Sequence, residues 1–378
     1  MELLGKSKTE LREFCASLGE PAYRGAQIYH ALYAERKFAF VQVTNLPAAL
    51  RQRLSAEACI TLPTVRQRYA SQDGSVRYLL SLLGSQSESS RIVGAQHATP
   101  LLGHQLSGLA RPASVEAVFM PSEGRQTICI STQAGCAVDC QFCLTAQLGL
   151  IRNLSAGEIL AQLLLPLEEH KPELAPQTNL VLMGQGEPLL NFDNVMAALR
   201  IVLDPEGIGL SPKHVTLSTS GIVPGIERLA KEPVRPKLAI SLNASNDEQR
   251  DALMPINRKY PLAALMEACR NYPLRPWEHL TFEYVMLGGI NDSPEDARRV
   301  VRLLAPLKRV KVNLIPWNPG ELPFHESSAE QIDQFRRILV DRGVPAFVRY
   351  SRGRDVMAAC GQLALKDVHA SSQSTIDN

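Results

Sequence analysis

From about residue 115 onward the chain repeats a pattern that few folds accommodate. Short β-rich runs occur at "TICIST" (127–132), "NLVLMG" (179–184), "HVTLSTSG" (214–221), "KLAISLN" (237–243), "LTFEYVML" (280–287) and "VKVNLIPWN" (310–318). Amphipathic helical stretches such as "LSAGEILAQLLLPLEEH" and "PEDARRVVRLLAPLKR" separate them. Strands alternating with helices over this length predict a parallel sheet or barrel of βα units. About six units fit, so the expected fold is α/β, a partial (β/α)6 version of the eight-fold barrel. The runs end in small or polar residues, "STQAGC", "MGQGEP", "STSG", "SLNA" and "PWN". In a βα barrel those ends share one mouth, where ligand and catalytic groups gather. Polar turns are common, but so many beside a cysteine cluster favour a site.

The rest of the chain reads differently. Residues 1–62 predict a small helical accessory domain: "KTELREFCASLGEPAYRGAQIYHALYAER" has apolar residues at helical spacing, broken at Gly19–Pro21, and "LPAALRQRL" adds a short helix. Residues 63–121 predict a β-rich connector, with short strands over 64–95 around the turn "SQDG" and an irregular insertion at about 90–114. The barrel is expected over 122–354, and a C-terminal segment with a flexible tail over 355–378.

At 378 residues the chain exceeds one typical domain, and its longest apolar run, "ILAQLLLPL", has about nine residues. Crossing a bilayer takes ~20. The start, "MELLGKSKTELREF", has no continuous apolar stretch of the secretory kind. These features predict a cytoplasmic protein without a membrane partner, in which thiols stay reduced and clustered cysteines mean metal or redox chemistry. A net charge of +2 makes any basic surface local.

Four of the eight cysteines fall within "CISTQAGCAVDCQFC", residues 129–143. Cys136, Cys140 and Cys143 form C-x3-C-x2-C after the "TICIST" strand. Thiolates select zinc, Cu(I) or iron–sulfur clusters. A structural zinc wants four closed ligands, and no second C-x-x-C pair or His-x-x-x-His is present. Three ligands on a four-iron cubane leave one iron open, which suits a cluster that binds a substrate. Zinc with a distant fourth ligand, or unrelated buried cysteines, remain the alternatives.

The C-x3-C-x2-C loop after a first barrel strand resembles the signature of radical S-adenosylmethionine (SAM) enzymes, and Phe142 matches the aromatic residue common there. More narrowly, "GCAVDCQFC", "RNLSAGEIL", "LMGQGEPLLN", "LSTSGIVP", "ISLNASNDEQRDALMPIN", "FEYVMLGGIND", "VNLIPWNP" and "RGRDVMAACGQL" occur in the order found in the RlmN/Cfr family of RNA adenine methyltransferases. The resemblance covers roughly 115–365 and, more loosely, the helical N-terminus.

That resemblance implies one 4Fe-4S cluster on Cys136, Cys140 and Cys143, its open iron chelated by SAM, with two SAM molecules used per turnover. One methylates Cys360, giving an S-methylcysteine; the other yields a 5′-deoxyadenosyl radical that takes hydrogen from that methyl group. The carbon radical adds to an adenine, Glu116 accepts the ring proton, and Cys129 resolves the adduct through a transient disulfide with Cys360. Adenine C2 and C8 are electron-poor, so direct transfer of an electrophilic methyl is closed to them. Implied SAM contacts are Gly186, Glu187, Ser218, Ser241, Leu242, Asn243 and Asn318. Arg349, Arg352 and Arg354 precede Cys360; their charge is expected to favour its thiolate and to contact RNA phosphate. The helix "PAYRGAQIYHALY", with Arg24, is a further candidate for RNA docking.

Implied partners are 23S rRNA, tRNA and an electron donor such as a flavodoxin or ferredoxin, acting on a monomer. "GEPLLN" and "PWNP" resemble the RlmN side of the family, which methylates C2; C8 methylation is the alternative. From another class, the chain could be a non-enzymatic RNA-binding protein with a structural metal. One register follows from the residues: "VEAVFM" and "RQTICI" flank "PSEG" and predict a hairpin. Pairing Met120 with Arg125 sets Glu116 directly opposite Cys129. Asn243 stands where the family usually has histidine.

Overall fold

The computed structural model describes residues 1–82 and 113–365. The insertion expected at about 90–114 lies outside the described residues except for its last two, as does the tail 366–378. One ten-stranded sheet organises the molecule. Its strands are β1 (Thr64–Ala70), β2 (Val76–Leu82), β3 (Ala113–Ser122) and β4 (Arg125–Cys129). After a separate pair, β5 (Gln133–Gly135) and β6 (Leu150–Asn153), come β7 (Gln177–Leu182), β8 (Val215–Thr219), β9 (Lys237–Ser241), β10 (Leu280–Met286), β11 (Val310–Pro316) and β12 (Ala346–Val348). The order is β1-β2-β3-β4-β7-β8-β9-β10-β11-β12, so β1 and β12 are edges and the barrel stays open. From β4 to β12 all pairings are parallel, while β1 to β4 pair antiparallel. The six expected parallel strands are β4, β7, β8, β9, β10 and β11. The three-residue β12 adds a seventh that sequence reading did not anticipate.

Strand alternation separates the two faces. Leu238 and Ile240 of β9, Phe282 and Tyr284 of β10, and Val312 and Leu314 of β11 point outward into the main core. There the helices 156–169, 192–203, 262–271, 294–304 and 329–341 cover them. Burying each such side chain contributes about 1.5–3 kcal/mol. The inward face carries Ser218, Ser241, Glu283 and Asn313 instead, all incompletely buried.

The N-terminal helices Lys8–Ser17, Tyr23–Tyr33 and Ala48–Glu57 form as expected. Ser7 and Glu10 close a capping box at the first. The first two helices cross so closely that a Cβ on Gly25 would stand 2.4 Å from the carbonyl oxygen of Leu11. Leu11, Leu32 and Leu54 join the same core as the barrel strands. Tyr29 Oη donates to Asp204 at 2.8 Å and Arg36 pairs with Glu168 at 3.1 Å across that junction.

The hairpin of β3 and β4 is present, but its register differs from the expectation. Ser122 pairs with Arg125, so Glu123–Gly124 alone makes the turn, Gly124 taking φ +70°. A four-residue "PSEG" turn would have set Glu116 against Cys129; the tighter turn sets Val118 there. A shift of two preserves side-chain parity, so Glu116 and Cys129 share a face one position apart.

Candidate active site

The C-terminal ends of β7 to β11 and the loop 136–146 surround a cavity of about 990 Å³ including its open mouth. Cys136, Cys140, Cys143, Gly186, Glu187, Ser218, Ser241, Asn243, Asn318 and Cys360 all line it. Glu116, Cys129 and Leu242 do not. The Leu242 side chain is fully buried in the core, and its backbone N–H donates to the Glu283 carbonyl at 2.9 Å.

Each wall has a local cause. Gly186 holds φ +95°, and a Cβ there would lie 2.5 Å from the Gln133 side chain, so only glycine fits. Glu187 is buried; its carboxylate accepts from the backbone and hydroxyl of Ser220 at 2.7 and 2.8 Å and from Leu189 N–H at 3.0 Å. Burial raises its pKa and those bonds oppose the rise. Asn243 takes the left-handed region at φ +55°, which asparagine tolerates, and its Oδ1 accepts from Val285 N–H at 2.8 Å. Asn318 Nδ2 donates to Ser351 Oγ at 2.9 Å and to the Cys360 carbonyl at 3.1 Å.

The segment carrying Cys360 is stitched to the site from several sides. Leu144 N–H donates to the Gly361 carbonyl at 2.8 Å and Thr145 Oγ1 to the Leu363 carbonyl at 2.6 Å, tying it to the cysteine loop. Val356, Ala358 and Leu363 pack with Val118 and Cys129 in one small apolar cluster. Leu365 N–H donates to Glu116 Oε2 at 3.1 Å. Cys129 and Glu116 therefore lie beneath the segment whose Cys360 faces the cavity.

All eight cysteines are free thiols. The exposed surface of Cys360 faces the cavity. Although Cys360 is open to the cavity, the enclosing walls desolvate its thiol and push it up to about 12, and the nearby charges of Glu283 and Cys143 add to the rise. Cys136 is likewise raised to about 12, chiefly by burial, and Cys129, Cys140 and Cys143 are raised for the same leading reason. Glu116 is raised by burial against the opposing pull of Arg77.

These findings correct one part of the expectation for Arg349, Arg352 and Arg354, that their charge favours the Cys360 thiolate. Its thiol is shifted up, because burial and acidic neighbours dominate its surroundings. Arg352 pairs with Asp73 in the β1–β2 turn and also donates to the Pro121 carbonyl, while Arg354 pairs with Glu326 at 3.1 Å. Both hold the C-terminal segment in place.

Three residues with clear structural duties escaped sequence reading. Glu283, on the inward face of β10, lines the cavity and accepts from Ser218 Oγ at 2.8 Å; Ser241 Oγ is 3.5 Å from Ser218 Oγ. A charged residue at an inward position of an apolar strand was the signal available. Arg77 pairs with Glu116 inside the fold. Arg250 is fully buried and donates to the carbonyls of Ser220, Ser241 and Leu242 at 2.6, 3.1 and 3.1 Å, fixing two strand ends together. No spacing in the sequence marked either arginine.

Comparison with known proteins agrees with this architecture. Residues 130–304 match the model of the radical SAM superfamily, and residues 1–60 match the ribosomal RNA large subunit methyltransferase N-terminal domain. A probable dual-specificity RNA methyltransferase RlmN of Koribacter versatilis is 49% identical over 349 residues, covering 92% of this chain and 96% of that protein. The chain belongs to the RlmN family of radical SAM methyltransferases. A second member, the dual-specificity RNA methyltransferase RlmN of Geobacter sulfurreducens, is 40% identical over 384 residues, covering 100% of this chain and 97% of that protein. The crystal structure of a radical SAM methyltransferase from Sphaerobacter thermophilus superposes with a TM-score of 0.83 at 39% identity, covering 97% and 100% of the two chains. Family membership brings a 4Fe-4S cluster and SAM as cofactors. Among the described residues no helix is long and apolar enough to cross a membrane.

Proposed function

We propose that this chain methylates C2 of an adenosine in 23S rRNA and of an adenosine in the tRNA anticodon loop, using Cys360 as methyl carrier. The observation that carries the reading is one of arrangement. Three cysteines and Cys360 line a single cavity, while Cys129 and Glu116 lie under the segment bearing Cys360. Two of the relatives above are named as dual-specificity RNA methyltransferases, which supports RNA as substrate.

The donor set fits the cofactors. Cys136, Cys140 and Cys143 would each take one iron of a cubane. All three face one cavity together with Cys360, so a cluster held there would be open to a substrate. Gly186, Glu187, Ser218, Ser241 and Asn243, the backbone of Leu242, and Asn318 would hold SAM. When bound, cluster and SAM supply the electron and the radical that activates the methyl group.

The protein's own groups do the rest. Asn318 aims the Cys360 loop through its carbonyl. Glu116, a carboxyl with a raised pKa, is suited to accept a ring proton and release it again. Cys129, packed in one apolar cluster with Ala358 and Leu363 of the segment that carries Cys360, would attack its sulfur, breaking the bond from that sulfur to the product carbon, which takes a proton as the disulfide forms. A flavodoxin or ferredoxin would deliver the electron to a monomeric, cytoplasmic enzyme.

The test uses RNA whose adenosines carry deuterium at C2 or at C8, given to anaerobically reconstituted protein. Loss of the C2 label into methylated product is expected. Loss of the C8 label instead would mark the alternative regiochemistry, and no 5′-deoxyadenosine under reducing conditions would end the radical reading.

A further inference from the structure

The open barrel has a second chemical character below its mouth. A closed βα barrel fills its interior with branched side chains. Here Lys237 of β9 and Lys311 of β11 occupy inward positions, because their neighbours Leu238 and Val312 point out into the core. Phe347 of β12 pairs in register with Asn313, so it shares that inward face and is 46% exposed. Arg349 follows on the same face: its guanidinium lies 5.4 Å from the Phe347 ring centroid, and its Nε donates to Asn313 Oδ1 at 3.3 Å.

Three cations thus line one side of the lumen. Among the described residues no ion pair is made by Lys237, Lys311 or Arg349. The acid nearest in effect to Lys237 is Glu278, which is already engaged by Arg235 at 3.7 Å and Arg275 at 4.0 Å. The inward carboxylate of Glu283 is held by Ser218. Lys237 and Lys311 are each half-buried, and both pKa values are lowered, first by burial and then by the neighbouring cation. Like charges confined in a partly dry groove repel one another, and an entering polyanion removes that cost.

The row also leads to the reaction site. Arg349 lies two residues before Ser351, whose hydroxyl shares the Asn318 amide with the Cys360 carbonyl.

We propose that the lumen between β9 and β12 is a binding channel for single-stranded RNA, in which Lys237, Lys311 and Arg349 grip phosphates and Phe347 stacks on a base. This rests on the reading of RNA as substrate. A run of cations beside an exposed aromatic ring is the combination that single strands require, and a free phosphate has no use for the ring.

The experiment measures binding of a fluorescent RNA hairpin with an adenosine in its loop to the reconstituted protein over a range of salt. Each phosphate neutralised contributes about 0.7–0.9 to the log–log salt slope. Joint Lys237→Gln and Lys311→Gln is expected to weaken binding at low salt and to flatten the slope by about 1.4–1.8. Joint Lys237→Arg and Lys311→Arg should keep both affinity and slope. Unchanged slope and affinity in the glutamine variant overturn the channel while leaving the RNA reading intact. A wild-type protein with no affinity for the hairpin overturns both. If the glutamine variant does not fold, the arginine variant decides, and loss of binding there overturns the proposal. Inorganic phosphate separates the remaining source: if the lysines govern thermal stabilisation by phosphate but not RNA binding, the lumen is a free-anion site and the proposal fails.

Discussion

Arg77 on β2 and Glu116 on β3 form an ion pair with 1% and 0% of their side chains exposed. The second carboxylate oxygen is also taken, by Gln185 Nε2 at 3.3 Å and Leu365 N–H at 3.1 Å. Removing one member of such a pair leaves an uncompensated buried charge, whereas replacing both with apolar groups is far milder. Arg77→Met should therefore destabilise the protein by about 3–5 kcal/mol, with Arg77→Met/Glu116→Leu recovering most of that loss. Denaturant unfolding of the three proteins checks it; additive losses would show that the pair is not coupled.

Glu283 makes stability depend on pH. Burial raises its pKa above the ordinary 4.5, with Ser218 opposing. A carboxyl raised in the folded state contributes stability that is complete below the unfolded value and is lost as pH rises through the folded value. Glu283→Gln removes that loss. Its melting temperature relative to wild type should rise from pH 4 toward pH 8, and a gap that shrinks over that range would contradict the assignment.

Gly186→Ala tests the cavity wall. The added Cβ meets Gln133 at 2.5 Å, and the backbone at φ +95° disfavours any side chain. The combined cost is about 2 kcal/mol or more. SAM affinity, measured by calorimetry on reconstituted protein, should fall more than tenfold.

Cys129 and Cys360 separate by the products their variants leave. Cys360→Ala should transfer no methyl group and form no adduct. Cys129→Ala should accumulate a covalent protein–RNA species, resistant to boiling in detergent and seen on a denaturing gel. Free turnover by either variant contradicts the carrier role.

Much of the site was legible because its signals are local. C-x3-C-x2-C and the six β-rich runs depend on neighbours a few positions apart, where periodicity and spacing are encoded directly. The β3–β4 register was misjudged by two because it turned on whether a glycine would close the turn in two residues. The three-residue β12 was too short to announce itself, although it forms the edge that leaves the lumen open.

By itself the sequence determined the order of strands and helices, the cysteine loop and the glycine that lets the backbone approach Gln133. Only the tertiary structure decided that Glu116 meets Arg77 and Leu365, that Arg352 serves Asp73, and that Lys237, Lys311 and Arg349 come together on the inward face of the sheet. The hydrogen bonds and ion pairs among these join residues from 39 to 279 positions apart. Their energies come from burial and charge in a shared interior, which exists only once the sheet has brought its distant strands together.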